Sequence, residues 1–156
     1  MKPVSIYPAH ESDALDISNL IIESVSKFIT NEFTAQGRKL MLSSMTEDSI
    51  RKNLQQGFTY FLAKDSRDRK LIGVVGMKSP DYLFHLFIEE SSHNKGIATQ
   101  LWQEALVWSD ATEISVNASR YALKFYQKLG FIKVDEMKDV NGVIYFPMKY
   151  FRSQVV

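Results

Sequence analysis

Apolar positions along the chain follow two rhythms, one close to the helical repeat and one of two residues, and their succession predicts the elements. Val4 to Pro8, "VSIYP", reads as a short strand ended by Pro8. "HESD" then supplies capping side chains, and Ile17, Leu20, Ile21, Val25 and Phe28 keep the spacing of one buried helical face. "TNEFTAQG" breaks that pattern. A more polar helical region covers about Arg38 to Leu54, divisible near Ser43 and ended by Gly57.

Period-two patterning takes over in "FTYFLAKD" and "KLIGVVGMK", which are joined by the turn "SRDR" and rich in β-branched and aromatic residues. "SPD" turns the chain into a further strand, "YLFHLFI". Ile97, Leu101, Ala105 and Trp108, spaced four, four and three apart, predict a helix packed on a sheet. "EISV" is a short strand. Ala122, Phe125, Tyr126 and Leu129 mark another helix, closed by Gly130. The last two strands, "IKVDEMKDV" and "VIYFPMKYF", flank Asn141-Gly142, a strong hairpin signal. This order of elements predicts an α/β (α+β) fold: a mixed sheet of about seven strands with about four helices, antiparallel at its hairpins and parallel across the Ile97–Ser109 crossover. A ligand crevice is expected where the two parallel strands end.

Composition narrows the picture. The chain has 156 residues, 45% hydrophobic and 24% charged, which suits one globular domain spanning 1–156. With 19 basic and 18 acidic residues the net charge is +1, so no global field draws it to nucleic acid or an anionic membrane, and a charged ligand must be held locally. Cysteine is absent, which excludes a disulfide framework, a thiolate zinc site and a Cys nucleophile. The N-terminal residues lack the apolar core of a signal peptide, and no apolar run approaches the roughly 20 residues of a membrane span. A soluble, cytoplasmic protein is expected. His10, His85 and His93 have no metal-like spacing and no H-E-x-x-H occurs, so no metal is expected.

The chemistry gathers in "SSHNKGIATQL", Ser91 to Leu101, where the strand ends and the crossover helix begins. The first turn of a helix has unpaired N–H donors and the positive end of the macrodipole, so this junction suits an anion such as phosphate. Gly96 lets the backbone approach a ligand, Ala98 keeps the next turn small, Lys95 can add charge, and Asn94 and Ser92 can add donors. An ordinary connection containing a Gly is the other reading. The loop is not a Walker A sequence, since Ala98 stands where that motif needs Ser or Thr, nor does it match G-x-G-x-x-G.

"LFIEESSHNKGIATQL" resembles the acetyl-CoA-binding motif of the GNAT superfamily of N-acetyltransferases: Gln or Arg, two residues, Gly, one residue, then Gly or Ala. His93, Gly96 and Ala98 take those positions, His93 departing from the usual Gln or Arg. "VNASRYALKFYQKLGF", Val116 to Phe131, looks like the family's later motif, and "NGVIYFPMKY" like the final hairpin of one branch. The resemblance covers nearly the whole chain and is weakest between Asn31 and Phe58. It implies the GNAT fold, a twisted, mostly antiparallel sheet whose parallel pair is splayed at the cofactor site. It implies that Leu86, Phe87 and Ile88 hold the pantetheine arm of acetyl-CoA, with Asn117 helping from the next strand. His93, Asn94, Lys95, Gly96, Ile97 and Ala98, with Thr99, would hold the phosphates. Asn117 as a turn residue capping the next helix is the alternative.

Acetyl transfer to an amine needs a neutral nucleophile, a polarised thioester carbonyl and a proton for the departing thiolate. Tyr126 resembles the family's proton donor, although its place beside Phe125 also fits a core residue. The general base is less defined. Strict alternation puts Tyr82, Phe84, Leu86 and Ile88 on one face of their strand and Leu83, His85, Phe87 and Glu89 on the other. Family members with a His or Glu base carry it at positions matching Tyr82 or Phe84, which are aromatic here. His85, Glu32 and Asp81 are the remaining candidates, beside a water relay or an acceptor that arrives already neutral. Phe28, Phe33, Tyr82 and Phe84 are candidates for an apolar acceptor pocket.

The resemblance therefore implies an N-acetyltransferase that moves the acetyl group of acetyl-CoA to a primary amine by direct attack in a ternary complex. The acceptor is a small-molecule or peptide amine, with no nucleic-acid or membrane partner, and a homodimer fits the family. The alternative is a catalytically weak GNAT-like domain that binds acetyl-CoA as a sensor or interaction module. A phosphate site for another nucleotide accounts for the loop but not for "NASRYALKFYQKLGF".

Overall fold

Strands form where β-branched and aromatic residues alternate, and helices where apolar residues recur along one face, in the computed structural model, which describes residues 4–153. The ends of the expected 1–156 domain lie outside the described residues. The chain runs β1 (Val4–Pro8), α1 (Ala14–Phe28), α2 (Ala35–Ser43), α3 (Glu47–Gln55), β2 (Thr59–Asp65), β3 (Leu71–Ser79) and β4 (Tyr82–Ile88). It continues through α4 (Ile97–Trp108), β5 (Glu113–Ala118), α5 (Leu123–Leu129), β6 (Ile132–Lys133), β7 (Lys138–Val140) and β8 (Val143–Phe151). The sheet order is β1-β2-β3-β4-β5-β8-β6, with β7 paired to β8. β4 and β5 are parallel and the other pairs antiparallel.

Period-two alternation sends successive side chains of the central strands to opposite faces, and each face is buried. Phe61, Ala63 and Val75 join Ile97, Leu101 and Trp102 of α4 on one side. Tyr60, Leu62 and Val74 join Ile17, Ile21 and Val25 of α1 and Ile50 of α3 on the other. Each such buried aliphatic side chain contributes about 1.5–3 kcal/mol relative to exposure. Among the described residues no helix is long and apolar enough to cross a membrane.

Three features differ from the periodic reading. The last hairpin has two short strands where "IKVDEMKDV" predicts one, because Val134–Met137 leave the ladder, giving eight strands among the described residues rather than about seven. Pro147 lies opposite this break; it accepts a bond from Val134 N at 3.1 Å but has no N–H to return.

Helix α2 begins at Ala35, inside the segment that breaks the apolar pattern, and ends at Ser43, where the polar helical region divides, so the described residues hold five α-helices. Thr34 caps it, its Oγ1 accepting from Gly37 N at 3.0 Å. Gly37 interrupts the apolar pattern because its surface meets the β7–β8 turn. A Cβ there would stand 2.1 Å from the Gly142 carbonyl oxygen, and one on Gly142 would stand 1.9 Å from Thr34 Oγ1. Two bare glycines thus let α2 and the hairpin tip touch.

Strict alternation also fails in β4. His85 pairs with Gly76 but Leu83 pairs with Met77, so Phe84 is an extra residue, a β-bulge. Below it Leu83 lies on the α4 side, and above it Leu86 and Ile88 lie on that same side. Phe87 faces the α1 side, and the rings of Phe84 and His85 meet Phe58 and Tyr60 of that face.

Candidate functional site

β4 and β5 pair through two residue pairs, Tyr82 with Ser115 and Leu83 with Val116, and then diverge. The bulge at Phe84 begins where pairing ends, since it bends the strand and increases its twist. Asn117 Nδ2 donates to the Tyr82 hydroxyl at 2.9 Å, pinning the point of the V. Asn117 does not cap the helix beyond β5: α5 starts after Ala122 without a side-chain cap, and Ser119 Oγ accepts from Ala122 N at 3.2 Å in the turn before it. The splay opens a cavity of about 1130 Å³, lined along its length by Leu86, Phe87, Ile88, Asn117 and Tyr126. That exceeds the volume of common single-ligand sites and leaves room for two reactants.

At one end stands the N-terminus of α4. Asn94 and Gly96 adopt left-handed φ values of 62° and 77°, turning the backbone so that the helix starts without a side-chain cap. Among the described residues no acceptor meets the N–H groups of Ile97, Ala98 and Thr99. Nothing lies within 4 Å of where a Cβ on Gly96 would be, so ligand has room to approach the main chain. Ser92, 1% exposed and on the cavity wall, has a buried Oγ with no partner. An unsatisfied buried hydroxyl costs about 1–3 kcal/mol, and a phosphate oxygen would remove that cost. Four unsatisfied donors at the positive end of a helix fit the pyrophosphate that the sequence motif implies.

His93 turns its ring back on its own loop. Its Nε2 donates to the Ile88 carbonyl at 2.8 Å and its ring packs on Phe28 at 5.7 Å, tying the loop back to β4. Phe28 in turn stacks on Tyr121 at 4.9 Å, so the end of α1 bridges both arms of the splay. Lys95 is exposed and is not on the cavity wall, contrary to its expected share in the phosphate site.

The proposed acid and base candidates separate clearly. Tyr126 is buried against Phe125 and Phe131, yet it lines the cavity, and its hydroxyl has no protein partner among the described residues. Burial raises its pKa, keeping the phenol protonated. His85 is 3% exposed, and its Nδ1 lies 2.9 Å from the Tyr60 hydroxyl. Asn53 Nδ2 donates to that same oxygen at 3.2 Å, so the Tyr60 proton points at Nδ1 and the imidazole carries its own proton on Nε2. Burial lowers the His85 pKa to about 3. A neutral imidazole with its hydrogen on Nε2 and its Nδ1 taken by the Tyr60 hydroxyl is a poor proton acceptor, which argues against His85 as the base. Glu32 is not on the cavity wall; it is held by Arg120 at 2.9 Å. Asp81 accepts from Ser79 at 2.6 Å and is likewise absent from the wall.

Of the expected acceptor pocket, Phe28, Tyr82 and Phe84 line the cavity, and Phe33, 8% exposed, is buried elsewhere. Burial raises the Tyr82 pKa, Tyr145 adding to the effect and the Asn117 bond opposing it. The periodic reading missed Leu40 and Met41 of α2 and Val143 and Tyr145 of β8, which complete the wall. It also missed the Asn53–Tyr60–His85 chain. The Asn141-Gly142 turn signal marked the hairpin, but nothing local shows that α2 docks on it. Among the described residues no cluster of His, Asp and Glu is placed to hold a metal.

Comparison with known proteins agrees with this architecture. The fold aligns with a GCN5-related N-acetyltransferase from Rhodopseudomonas palustris at a TM-score of 0.80, with 18% identity and 97% of each chain covered. It aligns with the PaiA N-acetyltransferase from Thermoplasma acidophilum, solved with coenzyme A, at 0.76, with 16% identity over 96% of this chain and 99% of that one. YjaB from Escherichia coli aligns at 0.72, with 21% identity over 97% and 99%. No curated protein matches the sequence significantly. The family model for the acetyltransferase (GNAT) domain matches residues 29–151. The chain belongs to the GNAT acetyltransferase family.

Proposed function

We propose that this protein is an acetyl-CoA-dependent N-acetyltransferase acting on a primary amine by direct attack in a ternary complex. The observation that carries the reading is the splay between β4 and β5, which leads to the free amides of Ile97, Ala98 and Thr99 and the unpartnered Ser92 hydroxyl. The PaiA neighbour solved with coenzyme A supports the same choice of ligand. In this reading the edge of β4 at Leu86–Ile88, unpaired toward β5, receives the pantetheine arm as an added strand, and the α4 terminus receives the pyrophosphate. Bound acetyl-CoA supplies a thioester as acetyl donor.

The chain's own groups then have defined tasks. Tyr126, kept protonated by burial and without a protein partner, holds a proton for the leaving sulfur. His93 and Phe28 fix the loop, and Phe84 and Tyr82 border the volume left for the amine. The acceptor is a small-molecule or peptide amine.

Calorimetric titration with acetyl-CoA, with ATP and NAD as controls, tests the site. Selective low-micromolar binding, about −8 kcal/mol, is expected, and no binding would remove the reading. Tyr126→Phe separates the enzyme from a sensor: turnover should fall by about 10²–10⁴ with acetyl-CoA affinity unchanged. A sensor that merely binds acetyl-CoA releases no thiol with any amine, with or without the Tyr126 hydroxyl.

A further inference from the structure

A base is missing from the cavity, and its absence constrains the acceptor. The wall holds no Asp, Glu or Arg among the described residues. α1 contributes Ser24 and Phe28, and α2 contributes Leu40 and Met41, none of which takes a proton near neutral pH. β4 contributes Tyr82, whose phenol burial keeps protonated, and His85, whose Nδ1 is taken by the Tyr60 hydroxyl. β8 contributes Tyr145, and the β5–α5 segment Tyr121 and Tyr126. His93 sits at the phosphate end, bonded to the Ile88 carbonyl. Lys128, the one Lys on the wall, is a cation and repels a protonated amine.

The same wall holds no carboxylate, and the rings of Phe28 and Tyr82, whose faces attract cations, already carry the ammonium groups of Lys27 and Lys78 at 5.7 and 5.8 Å. An ammonium entering it would lose water and find no carboxylate, which is unfavourable. The rings of Phe28, Tyr82, Phe84 and Tyr145 instead present apolar faces, with Tyr82 and Phe84 tilted by 49° at 6.3 Å. Aromatic walls of this kind suit a flat apolar body.

We propose that the acceptor is a weakly basic aromatic amine, bound uncharged between the rings of Phe28, Tyr82, Phe84 and Tyr145. The inference rests on the acetyl-CoA reading above. The reaction balances without a protein base: a nitrogen–carbon bond forms, the carbon–sulfur bond breaks, and the one proton nitrogen loses is the one sulfur gains. Tyr126 can hand on that proton without ever being ionised. A lysine-like amine, with a pKa of about 10.4, is neutral in roughly one molecule of 2,500 at pH 7. An amine conjugated to a ring is neutral throughout the physiological range and escapes that factor.

The test uses the intact protein, acetyl-CoA, and two isomeric acceptors, 4-methylaniline and benzylamine, with spermidine as a polycationic control. Thiol release is followed from pH 6 to 9. The expected result is turnover of 4-methylaniline with a flat kcat/KM profile. Benzylamine should rise close to tenfold per pH unit, tracking its neutral fraction, and spermidine should not be turned over. Turnover of benzylamine or spermidine with a flat profile between pH 6 and 8 would reveal a base and overturn the inference, as would failure to acetylate 4-methylaniline. Titration of the same preparation with acetyl-CoA separates the two levels. Binding with the wrong acceptor profile sinks this inference alone, whereas no binding sinks the parent reading with it.

Discussion

Replacing Gly37 by Ala probes the contact between α2 and the β7–β8 hairpin, both of which line the cavity. In an isolated helix this change is favourable by about 0.8–1.0 kcal/mol, since glycine loses more backbone freedom than alanine. Here the new Cβ would lie 2.1 Å from the Gly142 oxygen, 2.3 Å from its carbonyl carbon and 2.9 Å from its Cα. All three atoms are backbone, so no rotamer can relieve the overlap, and a normal carbon–oxygen contact requires the hairpin tip to retreat by about an ångström. Overpacking of this kind costs about 1–3 kcal/mol. The net effect is a destabilisation of up to about 2 kcal/mol, or roughly 4–8 °C at the 2–4 °C per kcal/mol usual for this chain length. The hairpin also carries Val143 and Tyr145 into the part of the cavity wall proposed for the acceptor, while the α4 terminus lies on a different element. Thermal denaturation should therefore show a lower Tm, acceptor KM should rise several-fold, and acetyl-CoA affinity should stay unchanged. A Tm raised by the helix-propensity gain, with acceptor KM unmoved, would refute the docking of α2 on the hairpin.

Other substitutions test the remaining parts of the site. Ser92→Ala should act in opposite directions: removing the orphan hydroxyl stabilises the free protein by about 1–3 kcal/mol, seen as a higher Tm, while calorimetry shows weaker acetyl-CoA binding. Weaker binding with a lower Tm would mean that the hydroxyl already has a partner. Gly96→Ala should cost about 1–2 kcal/mol through its left-handed backbone, since nothing crowds the added methyl, and acetyl-CoA affinity should drop about tenfold. His85 titrates near 6.5 when unfolded and about 3 when folded. The unfolded chain therefore binds the extra proton between those values, and stability falls as pH drops from 6.5 toward 3, by up to about 1.4 kcal/mol per pH unit. Urea denaturation from pH 7 to 4 should show this component in the parent protein and its loss in His85→Phe; parallel pH profiles would count against a neutral buried imidazole.

Periodicity alone determined most of the elements, because burial of one face imposes a repeat of two on a strand and near four on a helix. The run from Ile17 to Phe28 and the spacing of Ile97, Leu101 and Ala105 carry that signature, and the structure has helices there. The candidate anion loop was legible in its geometry for a related reason: Gly96 adopts a left-handed φ, and a helix that begins without a side-chain cap leaves free donors that are local in sequence. Tertiary structure decided what depends on neighbours remote in sequence. The bulge at Phe84 exists through the register of β4 against β3, and it returns Leu86 and Ile88 to the face that Leu83 occupies. Gly37 looks like a helix breaker until Gly142, far along the chain, is seen against it. His85 looks like a base until Tyr60 and Asn53 fix its proton and burial removes its charge. Local sequence records a residue's own backbone and face, whereas its partners and its exposure to water are set by chain closure across the whole fold.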